Sequence, residues 1–197
     1  MEALIESILA ESLRVTREAV SGQRDKLIAA ADMLVTAIAS GHKILIFGNG
    51  GSAADAQHLA AEFVNRFQFE RQPLPAIALT TDSSIITSIG NDESFDRIFA
   101  KQVEALGRAG DVAWGLSTSG RSANILAALR TARQRDMHGL GMAGRGGRLG
   151  EQTDLLLTVP SDITARVQEA HITLGHILCQ LVEHKLFPHQ APAAAPR

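Results

Sequence analysis

The chain has 197 residues, enough for one domain with a sizeable core. Its 45% hydrophobic content argues against disorder through the body. Its 19 Lys+Arg against 21 Asp+Glu, a net charge of −2 with no basic run, argue against non-specific nucleic-acid binding as the main task.

The N-terminus, Met1-Glu2-Ala3-Leu4-Ile5-Glu6, has no basic segment followed by an apolar one, so no signal peptide is read there. Residues 2–20 and 24–40 carry apolar residues at spacings of three and four: Leu4, Ile8, Leu9 and Val15, then Leu27, Ala31, Leu34, Val35 and Ile38. Two helices are predicted, separated by Ser21-Gly22 and ended by Gly41. Residues 1–41 thus form a helical arm that a compact α/β domain does not strictly need. Such an arm suits packing against a neighbouring subunit.

From Lys43 the chain alternates. Strands are predicted at 43–47, 75–79, 111–116, 138–143 and 154–159, and helices at 52–66, 83–89, 95–107, 121–135, 147–152 and 163–186. The strands are short and apolar without a polar face, as in a parallel sheet covered on both sides. The expected fold is a three-layer α/β/α sandwich over a five-stranded parallel sheet, spanning residues 42–187, with right-handed crossovers. Ligands in that architecture bind at the carboxyl ends of the strands. The single cysteine, Cys179, excludes an internal disulfide and, between Leu178 and Leu181, reads as a buried inert thiol. No apolar run approaches the ~20 residues of a membrane span, and a cytoplasmic protein is expected. The proline- and alanine-rich tail, 188–197, is expected to be disordered.

Three loops carry candidate chemistry. Gly48-Asn49-Gly50-Gly51-Ser52 follows the apolar run Ile44–Phe47 and opens a helix, whose unpaired N–H groups and positive dipole suit a phosphate. It is neither GxGxxG nor a Walker A loop, so a nucleotide is not indicated; the competing reading is a tight turn. Ser117-Thr118-Ser119-Gly120-Arg121-Ser122 places four hydroxyls in six residues at a strand end, enough to surround phosphate oxygens without a lysine. An ordinary helix cap needs one. Arg121 either adds charge there or lies on the surface. Asn91-Asp92, after Gly90, either hydrogen-bonds sugar hydroxyls or makes a plain turn. Beyond these loops, His58 and Glu62 stand at i and i+4 on one helix face. Gln168 and His176, eight residues apart on the last helix, share a broad face. Together the four would make a mixed N/O site suited to zinc or a similar divalent ion. His42, His138, His184 and His189 take the ordinary structural reading.

Jointly, Gly48-Asn49-Gly50-Gly51-Ser52-Ala53, Ala56-Gln57-His58-Leu59-Ala60-Ala61-Glu62, Gly90-Asn91-Asp92, Ser117-Thr118-Ser119-Gly120 and Arg166-Val167-Gln168-Glu169-Ala170-His171 resemble the sugar isomerase (SIS) domain. Within it they resemble the sedoheptulose 7-phosphate (phosphoheptose) isomerases, from the helical arm to about Phe187. The resemblance implies a flavodoxin-like fold, a cytoplasmic homotetramer with shared active sites, and one zinc per subunit at His58, Glu62, Gln168 and His176. It implies that Asn49, Gly50, Gly51, Ser52, His58, Glu62, Asn91, Asp92, Ser117, Thr118, Ser119, Ser122 and Gln168 line the sugar phosphate. Arg121 stands where the family often has asparagine. The implied reaction is aldose–ketose isomerisation through an enediol, for heptose and lipopolysaccharide precursors, with Glu62 as base and His176 as its acid–base partner. A residue that ligates zinc tightly is a poorer base, so these roles require ligand exchange during turnover. The chain also resembles, along its length and in the ending Leu186-Phe187-Pro188-His189-Gln190, a non-catalytic relative that binds the replication initiator DnaA. That relative lacks the counterparts of Glu62 and His176, and both are present here.

Overall fold

The structure, a computed structural model, describes residues 1–190. Its helices are α1 (Glu2–Ser21), α2 (Arg24–Ala39), α3 (Gly51–Val64), α4 (Ser83–Asp92), α5 (Ala100–Leu106), α6 (Ala123–Gln134) and α7 (Thr164–Leu186). Its strands are β1 (Ile44–Gly48), β2 (Ala76–Ala78), β3 (Val112–Ser117), β4 (His138–Ala143) and β5 (Leu155–Thr158). All strand pairs are parallel, in the order β2-β1-β3-β4-β5. This is the expected three-layer sandwich.

The period of two along β1 divides the core. Ile44 and Ile46 face the layer built by α1, α2, α3 and α7, whereas Leu45 and Phe47 face the layer of α5 and α6. Both faces are covered, so every residue of β1 and β3 is buried, which explains why neither strand has a polar face. Trp114 stands edge-on to Phe63 at 6.4 Å on the first face, and Phe47 stacks on Phe99 at 5.6 Å on the second. The 23-residue α7 packs against α1, α2 and α3, and so joins the arm to the domain.

Three predicted helices differ. The one predicted at 147–152 is a four-residue 3₁₀ turn, Leu149–Gln152. The helix predicted at 95–107 is a 3₁₀ turn, Phe95–Arg97, followed by α5. The Ser94 hydroxyl accepts from the Asp96 N–H at 3.1 Å and caps the 3₁₀ turn, and Ile98 and Phe99, still in helical conformation, lead into α5. Likewise α4 does not stop at residue 89. Asp82 caps its start, accepting from the Ile85 N–H at 2.9 Å, and the helix runs through Gly90 to Asp92. Of the predicted tail, residues 188–190 form a turn, with the Gln190 N–H donating to the Phe187 carbonyl at 3.0 Å. The remainder, 191–197, lies outside the described residues. No helix among the described residues is long and apolar enough to cross a membrane.

At the opposite ends of the strands from the glycine loop, Asp111 joins β1 to β3. Its carboxylate accepts from the Lys43 N–H at 3.0 Å and the Arg108 N–H at 2.8 Å, and pairs with the Lys43 ammonium. Burial pushes this carboxyl up, but the hydrogen bonds from Lys43 and Arg108 outweigh it and hold Asp111 below the usual carboxylate range. A depressed folded-state value means stability that is present above the unfolded value of about 3.9 and lost as pH falls through the folded one. Asp111→Asn should therefore cost about 1–3 kcal/mol near neutral pH, and the gap to the parent protein should narrow in acid. Urea unfolding at both pH values checks this; equal stability near neutrality would contradict it.

Candidate active site

The glycine loop has the backbone that its composition suggests. A Cβ at Gly48 would lie 2.6 Å from the Ser52 carbonyl, and Gly50 sits at φ +55°, so both positions require glycine. No side chain caps α3, so its first N–H groups are available to a ligand at the carboxyl edge of β1. Ser52 is buried in the first turn. The Asn49 and Asn124 side-chain amides exchange hydrogen bonds of 2.9 and 2.8 Å, tying this loop to the one after β3. Asn124, 2% exposed, had no predicted role, and its signal was its place directly after the hydroxyl cluster.

Ser117 ends β3 and its hydroxyl lies 3.0 Å from that of Ser122. Ser122 occupies the N-cap of α6 but makes no capping bond, so its hydroxyl is not consumed as an ordinary helix cap. Gly120, at φ +63°, turns the chain, and the Ser119 hydroxyl accepts from the Arg121 N–H at 3.2 Å. Thr118 and Ser119 line a polar cavity of about 190 Å³ with Arg121, Arg145, Asp162 and Thr164. Arg121 is exposed and lines the rim of this cavity beside Thr118 and Ser119.

The third group forms where α3 meets α7. A Cβ at Gly175 would come within 2.6 Å of the Leu59 side chain, so glycine permits the close approach that sets His176 beside His58. The two Nε2 atoms are 3.3 Å apart, and His58 Nε2 is 3.0 Å from Glu62 Oε1. One ligand atom from each of the three residues lies within 4.8 Å of the others. Burial, then the neighbouring His58, lower the His176 pKa, opposed by Glu62. Phe67 covers the His176 ring at 5.2 Å. Two imidazole nitrogens and a carboxylate oxygen directed at one another, all partly accessible, form a donor set that fits a divalent ion of zinc type.

The other expected residues lie apart from that trio. Gln168 rests its side-chain amide against Gly51, about 12 Å along α7 from His176 by helix rise. Asn91 and Asp92 are not in a loop at a strand end: they form the exposed last turn of α4, where the Asn91 amide donates to Asp92 at 2.8 Å. The helix carries them there because the Asp82 cap and the run to Ile89 outweigh the break suggested by Gly90. Asp55, one turn before His58, had no predicted role; its Oδ2 is buried without a partner, and burial pushes its carboxyl up.

A glycine-rich helix entry, a hydroxyl cluster and a His/Glu/His group on one parallel α/β domain define a protein suited to a small phosphate-bearing ligand. The SIS domain profile matches residues 9–144. A phosphoheptose isomerase of Nitratidesulfovibrio vulgaris is 56% identical over 178 residues, covering 90% of this chain and 86% of that protein. One from Burkholderia pseudomallei is 52% identical over 191 residues, covering 94% and 96%. Among solved structures, the phosphoheptose isomerase GmhA of Neisseria gonorrhoeae superposes with a TM-score of 0.87 at 46% identity, covering 92% of this chain and 98% of that one. The Francisella tularensis enzyme gives 0.89 at 39%, covering 92% and 97%. The chain belongs to the SIS-domain family and, within it, to the phosphoheptose isomerases.

Proposed function

We propose that this protein is an aldose–ketose isomerase that converts D-sedoheptulose 7-phosphate to D-glycero-D-manno-heptose 7-phosphate, the entry to heptose for lipopolysaccharide. The observation that carries the reading is the convergence of His58, Glu62 and His176 on the helix that the glycine loop opens. His58 lies seven residues beyond Gly51, about 10 Å along α3 by helix rise. That separation is on the scale of an extended seven-carbon chain whose phosphate sits at the loops.

Ser117, Thr118, Ser119 and Ser122 hold the phosphate, with Asn49, Gly50, Gly51 and Ser52 beside them. Arg121 adds charge at the rim. Gln168, Asn91 and Asp92 complete the sugar contacts. Glu62 takes the proton from C1 of the open-chain ketose while His176 gives one to the C2 oxygen, forming the cis-enediol. The Glu62 carboxyl then returns its proton to C2, and His176 removes the proton from the C1 oxygen to leave the aldehyde. Zinc, held by His58, Glu62 and His176, would polarise the carbonyl and align the sugar oxygens; Gln168, the fourth ligand the resemblance implies, would have to leave Gly51 to join them. The active protein is a homotetramer joined largely through residues 1–41. Supporting this, Leu4, Ile5, Ile8, Leu9 and Leu13 of α1 are each 46–61% exposed in one chain, an apolar stripe of the size that association covers.

Purified protein should turn over sedoheptulose 7-phosphate, and metal analysis should find about one zinc per chain. Glu62→Gln and His176→Ala should each lower turnover by ~10²–10⁴-fold with the circular dichroism spectrum unchanged. Near-normal rates in both folded variants would remove these roles. No turnover together with binding of the initiator DnaA would instead leave a regulator built on the same fold.

The phosphate assignment has a separate readout. Ser117→Ala/Ser122→Ala removes two hydroxyls from a charged ligand, each worth ~1.5–3 kcal/mol, so KM should rise at least tenfold. An unchanged KM would place the phosphate elsewhere.

Light scattering should give a tetramer, and Leu9→Glu/Leu13→Glu should dissociate it. A monomeric parent protein, or an intact tetramer in the variant, would exclude the arm as the main contact.

A further inference from the structure

Neither Arg71 nor Glu183 belongs to any motif named above. Arg71 lies in the segment Asn65–Pro75 between α3 and β2, and Glu183 lies near the end of α7. Both side chains are only 1% exposed, and their Nε–Oε1 distance is 2.8 Å. Charged residues are almost never fully buried unless paired, so each constrains the other.

Arg71 Nη1 also donates within its own loop, to the carbonyl of Gln72 at 3.0 Å and that of Asn65 at 3.3 Å, and the other hydrogen bonds of the pair reach the end of α3 and the residues that follow it. Arg71 Nη2 donates to the carbonyl of Glu62 at 2.7 Å, and Nη1 donates to the carbonyl of Phe63 at 2.8 Å. These are last-turn carbonyls of α3, which lack helical partners and favour a cation. The Glu183 carboxylate accepts from the Phe67 N–H at 2.7 Å and the Gln68 N–H at 2.9 Å. The Phe67 backbone is thereby fixed to α7, two turns beyond His176 and on the same helix face. Its ring lies 31° from the plane of the His176 ring, with centroids 5.2 Å apart.

We infer that Arg71 and Glu183 are a positioning pair for the proposed reaction: through the Glu62 carbonyl and the Phe67 ring, they fix Glu62 relative to His176. The inference rests on the isomerase reading above. A helix end alone could be closed by one or two donors or by water. Here one buried ion pair supplies donors to α3 and acceptors to the segment that covers His176, so it locks the two helices that carry the proposed base and acid. Neither partner touches the hydroxyl cluster after β3, so the pair should act on turnover and not on phosphate binding.

The test uses the full-length protein carrying Glu183→Gln, Phe67→Ala or Phe67→Tyr. For each, kcat and KM for sedoheptulose 7-phosphate are measured with circular dichroism, and the ring-proton resonances of His176 are followed by NMR at one pH. Phe67→Ala should lower kcat by ~10–100-fold, the scale of a misplaced catalytic group, with KM within about twofold and the fold retained. Phe67→Tyr, which keeps the ring, should recover most of kcat. Glu183→Gln should shift the His176 resonances in the same direction as Phe67→Ala but by less, because it loosens the Phe67 ring over His176 where Phe67→Ala removes the ring. If Glu183→Gln does not fold, Phe67→Ala and Phe67→Tyr decide the matter alone. A folded Phe67→Ala protein with parental kcat, or one in which KM carries the whole effect, overturns the positioning role. No turnover by the parent protein would overturn the isomerase reading, whereas an active parent with an unaffected Phe67→Ala overturns this inference alone.

Discussion

The contact on which the rest depends is the approach of α7 to α3 at Gly175. Any larger residue there would press on the buried Leu59 side chain and force it to shift. One residue further along α7, His176 faces His58 at 3.3 Å. The same approach completes the first core layer, where Leu59, Leu174 and Leu178 are all buried. Packing and proposed chemistry thus share one constraint. The interior of a close-packed layer has discrete arrangements and resists gradual spreading, so the spacing of the trio is set by the core and not by the trio itself.

The parallel sheet supplies the other half of the site. Its topology puts the carboxyl ends of β1 and β3 side by side and starts a helix at each, α3 and α6, neither capped by a side chain. The first N–H groups of both helices therefore open onto the same edge, apart from those of Ile125 and Ala53, which donate to Asn124 Oδ1 and the Gly50 carbonyl. Reciprocal amide bonds between Asn49 and Asn124 hold the two loops in register. An anion placed there meets donors that are already fixed, which lowers the ordering cost of binding.

Much of this was legible in the sequence, for identifiable reasons. The period of two in Ile44–Phe47 and the glycine punctuation after it are local signals, and the structure follows them to within a residue or two. The i, i+4 relation of His58 and Glu62 is likewise local. The meeting of His58 with His176 spans 118 positions and was legible only through the family resemblance. Helix ends were less legible. The helix predicted at 83–89 runs on to Asp92, and the one predicted at 95–107 begins as a 3₁₀ turn capped by Ser94. The Arg71–Glu183 pair left no sequence signal at all. A lone arginine in a loop of mixed charge reads as solvated, and its partner lies 112 residues away.

The remaining tension lies within the trio itself. A carboxylate committed wholly to a cation cannot accept a proton from carbon, and an imidazole whose nitrogen is occupied cannot donate one. The geometry offers a way to share these duties. Glu62 keeps a side-chain exposure of 23% and His58 of 48%, so neither is sealed against exchange of partners. His176 is more enclosed, covered by Phe67 on one side and flanked by His58 on another. In the proposed reaction the accessible groups can trade contacts between ion, sugar and proton, while the enclosed one keeps the alignment. Rigid scaffolding directly behind a partly exchangeable ligand set satisfies both requirements: the backbone of Glu62 is clamped at its carbonyl, yet its carboxylate remains free to change partners.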